Sequence, residues 1–243
     1  MSAVRQFLRR TPVAYAYYAW KFWGEGNAQS DEPEIIDRLA AETGAPSSFV
    51  EFGFAPGEFN CIRLSHHADG LLIDCSERSV EIANAILPKR VRARQMFLTL
   101  DNLDVVRNAF PKLGVLSIDV DGNDYWFLKA LIELEPSIIS VEYNSSFCQE
   151  SVTIPYAPDF DRSIYSPDYY HGASLIALAK LCRAHGYGLA AVSRFGANAF
   201  FTTTGDLDPV AAWRPNALRM QWNGGKTDAE NFAAMAGLPF VAV

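Results

Sequence analysis

Phe49-Val50-Glu51-Phe52-Gly53-Phe54-Ala55-Pro56-Gly57, answered further along by Leu72-Ile73-Asp74, is the stretch that decides the fold. An apolar run closing on an acidic residue, a glycine loop and a second apolar run closing on Asp read as strand, loop, helix, strand. Such a unit takes a nucleoside. Gly53 and Gly57 let backbone approach a ligand where a Cβ would clash. Asp74 is placed to accept hydrogen bonds from a ribose diol; the alternative is a charge at a helix N-terminus, stabilised by the dipole. The spacing Glu51-x-Gly53-x-x-x-Gly57 is not the Gly-x-Gly-x-x-Gly of dinucleotide enzymes, which argues against a nicotinamide-dependent oxidoreductase.

Outward from that unit, apolar strands and helices alternate. Strands are expected at 48–53, 71–75, 92–98, 115–120 and 137–143, with helices at 34–42, 58–66, from Ser76-Glu77 to Pro88, 101–109 and 124–133. Strands this apolar are buried on both faces, hence parallel. From Asn144 to Tyr170 neither period holds, and so long an irregular segment inside a domain reads as functional, or as a lid. A helix resumes over 173–185. A strand at 186–192, a turn at Phe195-Gly196-Ala197-Asn198 and a strand at 199–203 close the sheet with an antiparallel hairpin. The expected fold is therefore α/β: a doubly wound, mostly parallel seven-stranded sheet with a late antiparallel strand, plus N-terminal helices. Residues 1–44 read as a helical extension, 45–205 as the nucleoside-binding domain with segment 144–170 inserted, and 206–243 as a C-terminal extension.

The chain's 243 residues, 49% hydrophobic, suffice for one such domain. A formal net charge of −7 argues against non-specific nucleic-acid binding. Cys61, Cys75, Cys148 and Cys182 are scattered, with no Cys-x-x-Cys pair. A zinc site and a disulfide framework are therefore not expected, Cys75 and Cys182 read as small buried hydrophobes, and a reducing cytoplasm is the default compartment. Residues 1–23 combine Arg5, Arg9, Arg10 and Lys21 with Ala14-Tyr15-Ala16-Tyr17-Tyr18-Ala19-Trp20. The apolar part is too short to span a bilayer and lacks a signal-peptide cleavage site. It reads either as an amphipathic helix on an anionic membrane's inner face or as a cover for a sheet edge, the cofactor mouth or a dimer partner.

Glu51-x-Gly53, Leu98-Thr99-Leu100-Asp101-Asn102-Leu103, Leu116-Ser117-Ile118-Asp119-Val120-Asp121-Gly122-Asn123-Asp124-Tyr125, Val141-Glu142-Tyr143-Asn144, Tyr170-His171-Gly172-Ala173-Ser174-Leu175 and Asn198-Ala199-Phe200-Phe201 follow in this order. Over about residues 45–205 the chain resembles the class I, Rossmann-like S-adenosylmethionine (SAM)-dependent methyltransferases. Within them it is similar to the bacterial FkbM-type group, often linked to polysaccharide gene clusters. It departs from the usual glycine loop at Ala55 and Pro56. The resemblance implies SAM as cofactor and a small acceptor, a sugar or natural product, most simply methylated on oxygen. An N-methyltransferase or a non-catalytic SAM-fold subunit of a glycan-assembly complex are the alternatives.

It also implies site residues. Glu51, Gly53, Gly57 and Asp74 would serve the cofactor, Glu51 by orienting the SAM amine or the loop backbone. Thr99 and Asn102 would contact adenine, with capping the alternative for Asn102. Asp119 would anchor the SAM amine or a metal, and Asp121 would face the acceptor. Asp124 reads as a helix N-terminal residue. The run 119–124 is not a calcium loop, since Gly122 stands at position four and Ala130 where a bidentate Glu is needed. Asp119, Glu142 and Asn144 resemble the Mg²⁺ site of metal-dependent O-methyltransferases, unless Glu142 and Asn144 only bond loop backbone. His171 is the expected base for an acceptor hydroxyl, or else a helix cap. Tyr156, Phe160, Tyr165, Tyr169 and Tyr170 read as acceptor-stacking groups or as the glue of a lid.

Overall fold

The computed structural model describes residues 12–25, 28–165 and 169–243. Among them the strands are β1 (Ser48–Phe52), β2 (Asp69–Asp74), β3 (Val91–Gln95), β4 (Val115–Ile118), β5 (Ile138–Glu142), β6 (Val152–Thr153), β7 (Gly188–Val192), β8 (Asn198–Thr202) and β9 (Val241–Ala242). The helices are α1 (Pro12–Trp20), α2 (Glu32–Thr43), α3 (Glu77–Ile86), α4 (Asp104–Arg107), α5 (Asp124–Leu131), α6 (Leu175–Ala184), α7 (Pro209–Ala212), α8 (Ala217–Trp222) and α9 (Asp228–Ala234). One seven-stranded sheet runs in the order β3-β2-β1-β4-β5-β8-β7, and β6 pairs with β9 outside it. Neighbours from β3 to β5 are parallel, whereas β8 is antiparallel to both β5 and β7. The sheet is the one expected, including its single reversed strand.

Successive strand residues point to opposite faces, so each strand feeds two cores. Val50, Phe52, Leu116, Ile118, Ile139 and Val141 pack with α5 and α6. Phe49, Leu72, Val115, Ile138 and Phe200 pack with Ile35, Ile36 and Leu39 of α2 and with Val80, Ile82, Ala83 and Ile86 of α3. Ser76 caps α3, its hydroxyl accepting from the Ser79 N–H at 3.2 Å. The exposed edge at β3 is blunted by Asn84, whose amide donates to the Ala93 carbonyl at 2.8 Å and accepts from its N–H at 2.9 Å.

The helix expected over 58–66 is replaced by turns and a single 3₁₀ turn at Leu64–His66. The cause is tertiary. The Glu51 carboxylate takes the N–H groups of Asn60 at 2.7 Å and Cys61 at 2.8 Å, which holds the segment in a tight coil beneath β1. Ala55-Pro56-Gly57-Glu58 forms a closed turn, with Glu58 N–H donating to Ala55 O at 2.9 Å and Gly57 at φ +75°. Pro before a positive-φ Gly is the arrangement of a type II turn. Gly57 therefore serves the turn and not the ligand: a Cβ there would lie 3.0 Å from the Tyr18 carbonyl of α1. The expected helix over 101–109 is likewise broken, into a 3₁₀ turn at Leu100–Asn102 and the short α4.

Arg5, Arg9 and Arg10 lie outside the described residues. α1 packs on α3, where Tyr15 accepts a 2.7 Å bond from Arg78, and the Phe22 ring stacks on His66 at 4.5 Å. Helix and following turn thus cover the glycine turn, while Val13, Tyr17, Trp20 and Trp23 face outward. Among the described residues no helix is long and apolar enough to cross a membrane. Cys182 is buried as expected, but Cys75 is exposed, because it follows the last residue of β2 at the sheet's open end.

Segment 144–170 divides in two. Its first part is fixed structure: Ser145, Ser146, Phe147, Thr153 and Ile154 are buried, and β6 is tied to β9 of the C-terminal extension. Tyr165 and Tyr170 pack with Phe147, Phe232, Phe240 and Met235, so most of the aromatics are glue. Among the described aromatics of the segment, Phe160 lines the crevice.

The sharpest local constraint is Gly53, at φ +69°, where a Cβ would stand 1.6 Å from the Asp119 carbonyl oxygen. Gly53→Ala should therefore destabilise the fold by about 3 kcal/mol or more. Urea unfolding would measure it, and a loss below about 1 kcal/mol would show that the strand ends can part.

Candidate functional site

Strand order reverses between β1 and β4, and open α/β sheets bind ligands at the carboxyl ends of their strands at such a point. There a crevice opens in two lobes of about 200 and 260 Å³. One lobe is lined by Ile73, Met96, Phe97, Leu98 and Phe127, the other by Gln29, Phe54, Phe59 and Asn60. Gly53, Asp74, Asp119 and Asp121 border both.

Asp74 ends β2 at the rim. One oxygen accepts from the Ser76 N–H at 2.7 Å and the other from the Phe54 N–H at 3.3 Å, which leaves a further lone pair on each for a ligand. Glu51 borders the second lobe, and its two backbone bonds, to Asn60 N–H and Cys61 N–H, make it the group that orients the loop. Burial, opposed by those two bonds, pushes its carboxyl up to about 7. Thr99 and Asn102 follow the capping alternative given for Asn102. Asn102 Oδ1 accepts from Thr99 N–H at 2.9 Å and its amide donates to Phe97 O at 3.0 Å, a reciprocal cap. The wall beyond β3 is instead Met96-Phe97-Leu98, with Phe97 half-exposed.

Four acidic side chains converge past β4 and β5. Asp124 is the helix N-terminal residue expected, accepting from the N–H groups of Val120 and Gly122, each at 2.9 Å. Burial still raises it to about 6. Asp119 sits well above the usual carboxylate range, first through burial and then through Asp121 and Asp124. Asp121 has φ +55° and pairs with Arg162, which straps the outer part of segment 144–170 over the crevice. Glu142, ending β5, is also well above its usual range, through burial and then Asp119, Asp121 and Asp124.

His171 is buried, and burial first, then Arg219 and Arg162, hold its pKa well below the usual value. Its Nε2 lies 3.1 Å from a guanidinium nitrogen of Arg219. A guanidinium only donates, so Nε2 accepts and the ring hydrogen is on Nδ1, 3.6 Å from Glu142 Oε2. The lone pair a base would use is thus already engaged, which removes His171 from direct proton abstraction in this arrangement. Arg219 carried no sequence signal: it lies in the C-terminal extension, outside every motif, and reaches the site because α8 folds back on segment 144–147. Its other donors go to Asn144 Oδ1 at 2.7 Å and Ser146 Oγ at 2.9 Å.

The expected metal set of Asp119, Glu142 and Asn144 does not form. Asn144 Oδ1 is taken by Arg219 and by the Ser146 N–H, and its amide donates to the carbonyls of Tyr169 and His171, both at 2.8 Å. Asp121, Glu142 and His171 do bring ligand-type atoms within 4.8 Å of one another. The hydrogen on Nδ1 opposes a cation there, because ligation needs that nitrogen's lone pair.

Topology and crevice together define the class I methyltransferase fold. Among solved structures the chain is similar to an O-methyltransferase from Bacillus cereus in complex with SAH, with 16% identity, a TM-score of 0.50 and coverage of 82% of this chain and 96% of that one. It also aligns with the CcbJ methyltransferase from Streptomyces caelestis, at 13% identity and TM-score 0.45 over 74% of this chain and 92% of that one. No protein-family model matches the sequence, and no curated protein matches it significantly.

The buried acids set the pH response. Glu51 and Asp124 have folded pKa values raised above the ordinary ones, so their contribution to stability is complete below about pH 4 and is lost as pH rises through about 6 to 7. His171 acts oppositely, losing stability below about pH 6.5. With carboxyls in the majority, the melting temperature should fall by several degrees from about pH 5 to about pH 8. The fall should be smaller in Glu51→Gln; equal slopes by calorimetry would refute the Glu51 contribution.

Proposed function

We propose that this protein is a SAM-dependent methyltransferase that acts on a hydroxyl of a small polyhydroxylated acceptor, a saccharide or a natural product. One observation carries the reading. The crevice has a ribose-type carboxylate, Asp74, at one end and the carboxyls of Asp119 and Asp121 at the other, with the glycine contact of Gly53 between. A nucleoside bearing sulfonium and ammonium charge suits such a lining; a pyrophosphate would be repelled by it.

The residues fit SAM in kind. Asp74 keeps lone pairs for a ribose diol, Met96, Phe97 and Leu98 offer apolar cover for a base, and Asp119 and the Asn60 side of the second lobe suit the amino-acid end. When bound, SAM supplies an electrophilic methyl on sulfur. The chain's part is to hold an acceptor oxygen in line and exclude water, and such placement carries most of the rate in a simple displacement. Phe160 and the Arg162–Asp121 strap close the crevice on that side. A hydroxyl acceptor matches the carboxyl-lined end, since an O–H donates where carboxylates accept.

Calorimetry should show SAM and S-adenosylhomocysteine binding and NAD not binding. Asp74→Ala should weaken both ligands by about 1.5–3 kcal/mol, roughly tenfold to a hundredfold. Absence of SAM affinity in the native protein, or tighter NAD binding, would end this reading.

A further inference from the structure

We propose that Glu142 takes the acceptor's hydroxyl proton, and that Arg219 and His171 are positioning residues that hold its carboxyl for that step; this rests on the methyltransferase reading. Glu142 Oε2 is buried and has no hydrogen-bond partner, and the same holds for His171 Nδ1, which faces it at 3.6 Å. Such an orphaned pair is costly in a folded protein unless a ligand group completes it. The chain Asn144/Ser146–Arg219–His171 is directional: each side chain is fixed by the one before it, and it ends on the Nδ1 and Oε2 atoms that face each other unbonded. Glu142 stands beside Asp119, because the β4–β5 register sets Ile118 against Val141. It is therefore next to the residue that borders both lobes of the crevice.

In the step, an O–C bond forms and the C–S bond breaks, its electron pair remaining on sulfur. The hydroxyl proton passes to the Glu142 carboxylate and afterwards to solvent. Groups facing Glu142 are Asp119 from the end of β4, Asp121 and Asp124 ahead of and in α5, His171 ahead of α6, and Arg219 from α8. Burial first, and then the three acids, disfavour its ionised form, and the guanidinium and the Nδ1–H oppose them; the resulting high proton affinity makes the carboxylate a strong base once it is ionised.

The test measures S-adenosylhomocysteine release over a panel of monosaccharides and catechol, with SAM affinity followed by calorimetry. Glu142→Gln should cut turnover about a hundredfold and leave SAM affinity within about twofold. His171→Ala should cut turnover about tenfold and move the acidic limb of the pH–rate profile upward, because a donor that favours ionised Glu142 is gone. His171→Asn, which keeps an N–H near the Nδ1 position, should recover part of the loss. Wild-type turnover in Glu142→Gln, or an unmoved limb in His171→Ala, overturns the proposal. A native protein that binds no SAM overturns instead the reading on which it rests. Should no panel member be methylated, ¹³C-glutamate NMR decides: Glu142 must titrate above the ordinary glutamate range and respond to His171→Ala, and a failure of either overturns the assignment. Stoichiometric Mn²⁺ binding lost in both Glu142→Gln and Asp121→Asn would also overturn it, in favour of a metal ligand.

Discussion

The contact of Gly53 with the Asp119 carbonyl is the constraint on which the rest depends. Two strand ends meet there more closely than any side chain permits. The Asp119 N–H donates to Phe52 O at 3.1 Å and the Gly53 N–H to Ile73 O at 3.0 Å, so β1, β2 and β4 are laced at one level. That lacing sets where Asp74, Asp119 and Asp121 emerge. Above it the chain leaves regular structure on every strand, and the crevice is the space that remains. A larger residue at position 53 would separate β1 from β4 at their carboxyl ends, where the ligand-facing groups are mounted.

The sheet was legible because its central strands β1, β4 and β5 are apolar enough to be buried on both faces, and because Phe195–Asn198 is a visible hairpin turn. Asp124 was legible for a local reason, since a carboxylate at the start of a helix answers its own backbone. What misled was tertiary. Residues 58–66 read as a helix, but Glu51, on the strand before them, takes the N–H groups of Asn60 and Cys61 first. Thr99 and Asn102 carry a family position, yet close on each other as a cap. Asn144 has the right side chain for a metal, but four bonds already use it. Arg219 was invisible because α8 shows no motif and its role arises only when the C-terminal segment folds back.

The interior chemistry follows one sign. Glu51, Asp119, Asp124 and Glu142 are all displaced upward, and burial leads in every case. Against them stands, among the described residues, the deeply placed cation Arg219, itself lowered by burial first and supported by Glu142 and Asp228. Such an excess of acid over base is a poor way to stabilise a fold and a reasonable way to receive a positively charged ligand. The protein without ligand is consequently under electrostatic tension at the same place where its backbone is most tightly drawn.

Arg219 and β9 lie far along the chain from the strands that form the nucleoside crevice, and this separation orders events during synthesis. β1 to β5 and the glycine turn leave the ribosome while α8, α9 and β9 are still being made. Until they arrive, β6 has no partner strand, and Asn144, Ser146 and His171 have no guanidinium to organise them. A nascent chain at that point holds Asp74, Asp119 and Glu142 and lacks Arg219. The buried acids are thus made before the cation set among them, and the charge balance of the crevice is completed last.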